Sequence, residues 1–211
     1  MNILNSLTED YHMHSSTFSD GYNSIDELVQ YAGKIWMTKI TITDHSDAGN
    51  KQPPRAWRVA VSRWKNVHND VQVSFWVEAD LLDVEGNICA VIDGRESDFV
   101  LLSYHEGVFQ GGPEQVKDAF IKALHQHHDR INCIWHIAHG ISTADALAII
   151  QVANEYDIPV EVNAKYYRAK PENWNVVLEN AKNIYINSDA HMLHELRDYR
   201  RPIYEKLWLI K

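Results

Sequence analysis

The stretch DYHMHSSTFSDG (10–21) sets His12 and His14 one residue apart and offers Asp20 after a Ser/Thr segment. On extended backbone, residues i and i+2 project to the same side, so an HxH pair can present two imidazole nitrogens to one metal ion. Alone, the pair fits a structural strand edge as well as a ligand set. The chain repeats the theme: His45 closes ITDH (42–45), Glu78 lies near the end of VSFWVEAD (73–80), and His105 ends VLLSYH (100–105). His139 ends IWHIAH (134–139), and Asp189 and His191 share YINSDAH (185–191). Imidazoles mixed with carboxylates suit zinc, manganese or iron(II) better than magnesium or calcium, which prefer oxygen shells. His136 is the alternative to His139; strand alternation turns the two to opposite faces, and His136 is assigned to the core or outer face. His68, His125, His127 and His128 fall on or near helices and read as solvated, while His194 lies just past the last motif.

Nearly every candidate lies at the end of a β-rich run, with Asp20 in the loop after the first, so the elements behind them must carry them to a common face. EDYHMHS reads as the first strand. SIDELVQYAGK reads as a helix opened by Ser24, with Glu27 three residues on forming a capping box and Ile25, Leu28, Val29 and Ala32 at helical spacing. KITITDH is the second strand, a helix is expected around 55–68, and VQVSFWVEADLL follows, with DVEGN (83–87) turning into a hairpin. Then DFVLLSYHEG, NCIWHIAHG, PVEVNAKYY and NIYINSDAH read as strands. The helices between and after them are PEQVKDAFIKALHQHH, STADALAIIQVANEY and PENWNVVLENAK. About seven β/α units predict an α/β protein with a parallel sheet, closed or distorted into a barrel. In such barrels the active site lies at the C-terminal ends of the strands.

With 211 residues, 45% hydrophobic and 23% charged, the chain reads as a single domain over residues 1–211 with room for a large core. A net charge of -9 argues against broad binding to nucleic acids or anionic membranes. An anionic small molecule stays open, because bound cations invert the local sign. Cys89 and Cys133 lie far apart in apolar segments without a CxxC pattern and read as free thiols. No basic region with a following apolar run opens the sequence, and no apolar stretch approaches the ~18 residues of a membrane span, so a cytoplasmic protein is expected. YEKLWLIK (204–211) could form a final strand, a barrel cap or a dimer contact; oligomeric state is left open.

In these residues the chain resembles the PHP family, the polymerase and histidinol phosphatase superfamily. The opening block DYHMHSSTFSDG…SIDEL is similar to that family's D-x-H-x-H…SDG…EEL, and ITDH, Glu78, LLSYH, IAHG, EVN and NSDAH follow in family order. The resemblance implies a distorted (β/α)7 TIM-like barrel holding up to three divalent metals. It places His12, His14, Glu78 and Asp189 on one metal, Glu78, His105 and His139 on a second, and Asp20, His45 and His191 on a third. Gly140 stands where the family often has proline, and Asn187 where it usually has glycine; neither change removes a ligand.

The chemistry implied is hydrolysis of a phosphate ester, in which a metal-bound hydroxide near Glu78 attacks phosphorus in line. Glu78, Asp189 and His191 are the candidate catalytic residues. EVNAKYYRAKP resembles the family's EIN…R segment, so Arg168 and then Lys165 are the candidate phosphate-binding cations, with Arg55, Arg58 and Arg197 as weaker options. Ser15, Ser16 and Ser103 have no base in a triad pattern. The leading substrate class is a small soluble phosphomonoester, histidinol-phosphate-like or nucleotide-like. The alternatives are a phosphodiesterase or 3′-exonuclease acting on a small diester or nucleic-acid end, and a metal-binding protein without turnover.

Overall fold

The computed structural model describes residues 1–49, 69–97 and 99–207. The expected helix around 55–68, with Arg55, Trp57, Arg58 and His68, lies outside the described residues. Strands β1 (Asn2–Ile3), β2 (Glu9–Met13), β3 (Lys39–Ile42), β4 (Gln72–Phe75), β5 (Val77–Leu81) and β6 (Ile88–Cys89) precede a small hairpin, β7 (Val91–Ile92) and β8 (Arg95–Glu96). They are followed by β9 (Val100–Ser103), β10 (Ile131–Ile134), β11 (Val160–Asn163) and β12 (Asn183–Asn187). The described helices are α1 (Ile25–Lys34), α2 (Val116–His127), α3 (Thr143–Glu155), α4 (Ala164–Ala169), α5 (Asn175–Asn180) and α6 (Arg201–Lys206).

One sheet runs β1-β12-β11-β10-β9-β5-β6, and a second runs β2-β3-β4. Every pairing in them is parallel except β5 with β6, where DVEGN turns the chain back into the expected hairpin. Central parallel strands are covered on both faces and should be apolar throughout. Accordingly, every residue of β5, β9 and β11 is buried. Two isolated bridges join the sheets, Met13 to Ala190 and His45 to Glu78. Tyr11, Trp76, Leu101, Cys133 and Trp135, from strands of both sheets, meet in one cluster.

The helices cover the outside by their apolar stripes. Phe120 and Leu124 of α2, Ile149 and Ile150 of α3 and Val177 of α5 share a core with Ile134 and Ile184 of the sheet. Each such side chain contributes ~1.5–3 kcal/mol on burial, so this layer outweighs the caps, worth ~1 kcal/mol each. The capping box on α1 forms as expected: Ser24 Oγ accepts from Glu27 N (3.3 Å) and Glu27 Oε2 accepts from Ser24 N (2.8 Å).

Several expected elements differ. The strand in NCIWHIAHG stops at Ile134. The strand in PVEVNAKYY stops at Asn163, whose side chain caps α4 by accepting from Tyr166 N (3.3 Å). PENWNVVLENAK opens with a 3-10 turn, Pro171–Trp174, before α5. The C-terminal segment contributes Tyr204–Lys206 to α6, not to a strand. Cys89 and Cys133 are free thiols, the latter buried. Among the described residues no helix is long and apolar enough to cross a membrane.

Candidate metal centre

The ends of β2, β3, β5, β9 and β12 bring His12, His14, Asp20, His45, Glu78, His105, Asp189 and His191 together. Their donor atoms form three overlapping sets: His12, His14 and Asp189; His45, Glu78 and His105; and His14, Asp20, His45 and His191. Within each set the donors lie within 4.8 Å of one another. Gly21 lets the first loop close this tightly, since a Cβ there would collide with the His14 backbone. A cleft of about 180 Å³ opens over the cluster. Asp189 holds a left-handed backbone (φ 55°), a sparsely populated conformation that concentrates at functional sites.

The histidine ring orientations follow from their outer partners. His12 Nδ1 meets Glu161 Oε1 at 2.9 Å, and His105 Nδ1 meets Asp80 Oδ1 at 2.7 Å. His14 Nδ1 meets Ser19 Oγ at 3.2 Å, and His191 Nδ1 meets the Asp189 carbonyl at 3.0 Å. Ser19 Oγ spends its own proton on Asp20 Oδ1 (3.2 Å), so His14 Nδ1 donates. With a metal bound, each of these rings would keep its proton on the outward-facing Nδ1 and present Nε2 inward. His12 Nε2 and His14 Nε2 come within 3.0 Å of each other and within 3.1 and 3.5 Å of Asp189 Oδ1. Lone pairs converging this way repel unless a cation sits among them.

Glu78 sharpens the point. Its carboxylate is buried, with His45 Nδ1 at 2.7 Å, His105 Nε2 at 3.1 Å, His14 Nε2 at 3.4 Å and His136 Nε2 at 3.6 Å. Yet neither oxygen has a partner in hydrogen-bond geometry. Nitrogens crowded round a carboxylate without hydrogen-bond alignment are what ligands aimed at shared ions look like, so the residues fit divalent metals. Charge follows the same logic. Burial opposes ionisation of Glu78, but the His45 and His105 cations outweigh it and hold its carboxyl well below the usual range. Burial likewise opposes the imidazoliums, yet Glu78 with Asp20 raises His45 to about 11, and Glu78 with Asp80 raises His105 to about 10. Burial wins at His12, His14 and His136, which stay neutral; the last two fall to about 4.

His139 is not brought into the cluster. It is exposed and stacks on Tyr166 (ring centroids 3.9 Å apart), and His136 takes the place at the cleft instead. The reason is local: β10 ends at Ile134, and His136 turns through a positive φ of 32°, so strand alternation no longer decides where it points. Arg168 is likewise not brought to the cleft. It is exposed, its guanidinium lies over the Tyr199 ring at 4.0 Å, and it does not line the cleft. Lys165 does line it, with Nζ 3.5 Å from Asp189 Oδ2. Arg197 donates to the Ile35 carbonyl, and His194 is exposed beside Tyr199. Sequence reasoning missed Glu161 and Asp80, buried carboxylates that orient His12 and His105. EVN and VEAD carried the signal, as acids inside otherwise apolar strands.

Comparison with known proteins adds three findings. The family model described as PHP domain matches residues 10–189. A probable phosphatase of Caldicellulosiruptor bescii is 30% identical over 198 residues, covering 88% of this chain and 80% of that protein. A probable phosphatase of Citrobacter koseri is 22% identical, covering 90% and 81%. Among solved structures, the histidinol phosphate phosphatase of Lactococcus lactis, complexed with zinc, L-histidinol and phosphate, superposes with a TM-score of 0.59 at 16% identity over 92% of both chains. A chain from the crystal structures of YwqE from Bacillus subtilis and CpsB from Streptococcus pneumoniae, described as metal-dependent tyrosine phosphatases, gives 0.58 at 16% identity over 94% of this chain and 86% of that chain. At that identity these two likenesses speak for the fold.

Proposed function

The chain belongs to the PHP domain family, and from that membership we propose that it hydrolyses a small soluble phosphomonoester in the cytoplasm. It is a phosphate ester hydrolase, and the three donor sets make metal dependence part of this reading. The observation that carries the proposal is Glu78, buried, without hydrogen-bond partners and ringed by imidazole nitrogens.

Two to three divalent ions (zinc, manganese or iron) would be held by these residues. His12, His14 and Asp189 would hold one, with Glu78 beside them; Glu78, His105 and His136 would hold a second, and Asp20, His45 and His191 a third. When bound, such ions supply Lewis-acid charge to phosphoryl oxygens and an activated water at neutral pH. The chain's own residues arrange the rest. Asp189 turns Oδ1 to His12 and His14, and Oδ2 to Lys165 and Asn163. It thereby ties the cluster to Lys165, whose ammonium faces the cleft where a phosphate oxygen would lie. Glu161 and Asp80 hold His12 and His105 in one tautomer each.

We also read the strands as one distorted barrel in a single domain. The two bridges between the sheets and the cluster around Tyr11 and Trp135 support that reading.

The test is phosphate release from a panel of mono- and diesters by manganese- and zinc-loaded protein, with Lys165→Met and Arg168→Met beside the wild type. Monoester turnover is expected, with KM raised about tenfold or more in Lys165→Met, the scale of one charge-assisted hydrogen bond, and little changed in Arg168→Met. Turnover of diesters alone would replace this reading with a phosphodiesterase. No turnover by protein carrying its metals would leave the monoester assignment without support.

A further inference from the structure

The two lips of the candidate centre come from strands that barely pair. His12 and His14 stand at the end of β2, and Asp189 and His191 stand just past β12. Between these strands the backbone makes the single bridge Met13–Ala190, through His14 N to Ala190 O (2.8 Å) and Ala190 N to His12 O (3.4 Å). Elsewhere along this seam, side chains replace the ladder. Arg200, immediately before α6, is completely buried. Its guanidinium donates to the Leu7 carbonyl (2.7 Å) and the Glu9 carbonyl on one lip, and to the Ile186 carbonyl (3.2 Å) on the other. Its Nε lies 3.2 Å from Asp10 Oδ2. Asp10 Oδ1 then accepts from the backbone N–H of His12 (3.2 Å) and of Ser188 (3.2 Å), one on each lip. The first is a candidate ligand, and the second precedes one.

We propose that Arg200, acting through Asp10, is the positioning residue that fixes the separation of the two lips and with it the geometry of the metal centre. The proposal rests on reading the cluster as a metal centre. A buried ion pair is a poor source of stability, because apolar replacements of similar volume often serve as well. What the guanidinium offers here is a rigid planar fork that meets carbonyls of both strands at fixed angles. Mutation of a residue that holds a metal ligand in place typically weakens metal binding about 10–100-fold. Lysine would keep the charge and lose the fork.

Three variants test this: Arg200→Lys, the charge-free pair Asp10→Asn/Arg200→Met, and Leu124→Ala in the helical layer as a control for lost stability. Zinc and cobalt dissociation constants are measured by chelator competition, and the cobalt absorption bands are recorded, where circular dichroism shows each protein folded. The double variant leaves no unpaired buried charge and carries the test where Arg200→Lys does not fold. We expect the seam variants to weaken metal binding about tenfold or more and to shift the cobalt bands, with Leu124→Ala matching wild type in both. Folded seam variants with wild-type constants and bands would overturn the proposal. A wild-type chain that takes up no cobalt would overturn the metal-centre reading, and this inference with it.

Discussion

Glu78 and His136 face each other across 3.6 Å at the floor of the cleft, while His139 sits outside on Tyr166. If His136 is the ligand, His136→Ala should lose bound metal and at least tenfold in phosphate release, and His139→Ala should keep its metal. Elemental analysis of the two purified variants checks this, and a metal-depleted His139→Ala would reverse the assignment. Most of the other candidates were legible because they lie at or beside a β-rich run, where i and i+2 positions and strand ends have defined directions; Asp20 lies in the loop after β2 and Glu78 near the start of β5. His136 was not, because the alternation rule needs extended backbone and β10 has already ended two residues earlier. Glu161 and Asp80 were illegible for another reason: their partners lie 149 and 25 residues away in sequence. No local pattern shows which buried carboxylate meets which imidazole.

Elements whose boundaries depend on local chemistry were easier to read than those set by tertiary contact. The Ser24–Glu27 capping box and the apolar stripe of α1 are written within a few residues and formed as expected. The end of β11 was missed because Asn163 serves two partners: it caps α4 and donates to Asp189 Oδ2 (3.2 Å). Only the first is local. This double duty separates two variants of similar cost. Ser24→Ala and Asn163→Ala should each cost ~1 kcal/mol of stability, read as a shift in the urea midpoint. Ser24→Ala should leave kcat/KM unchanged, and Asn163→Ala should lower it several-fold by freeing Asp189. Equal kcat/KM in the two would mean that Asn163 acts only as a cap.

For the molecule as a whole, the carboxylates of the centre are offset by protons on His45 and His105 in the metal-free chain. His45 and His105 are raised from 6.5 to about 11 and about 10. Groups raised on folding contribute stability that is complete below the unfolded value and is lost as pH rises through the folded value. The metal-free protein should therefore lose thermal stability between about pH 7 and 10, where the folded state binds more protons than the unfolded. The loaded protein should not follow it, since metals displace those protons. A flat metal-free profile across that window would contradict the charge arrangement. Of the global architecture, the β/α alternation and the convergence of strand ends were readable, and the polar seam between β2 and β12 was not, because Arg200 meets Leu7 across 193 residues. The most direct test of the account is bound metal per chain measured beside phosphate release in the same samples, for wild type and Glu78→Gln. Two to three ions per wild-type chain, with turnover that rises with occupancy and collapses in Glu78→Gln, is the expected result. Phosphate release that is independent of bound metal, or full loading and activity in Glu78→Gln, would contradict it.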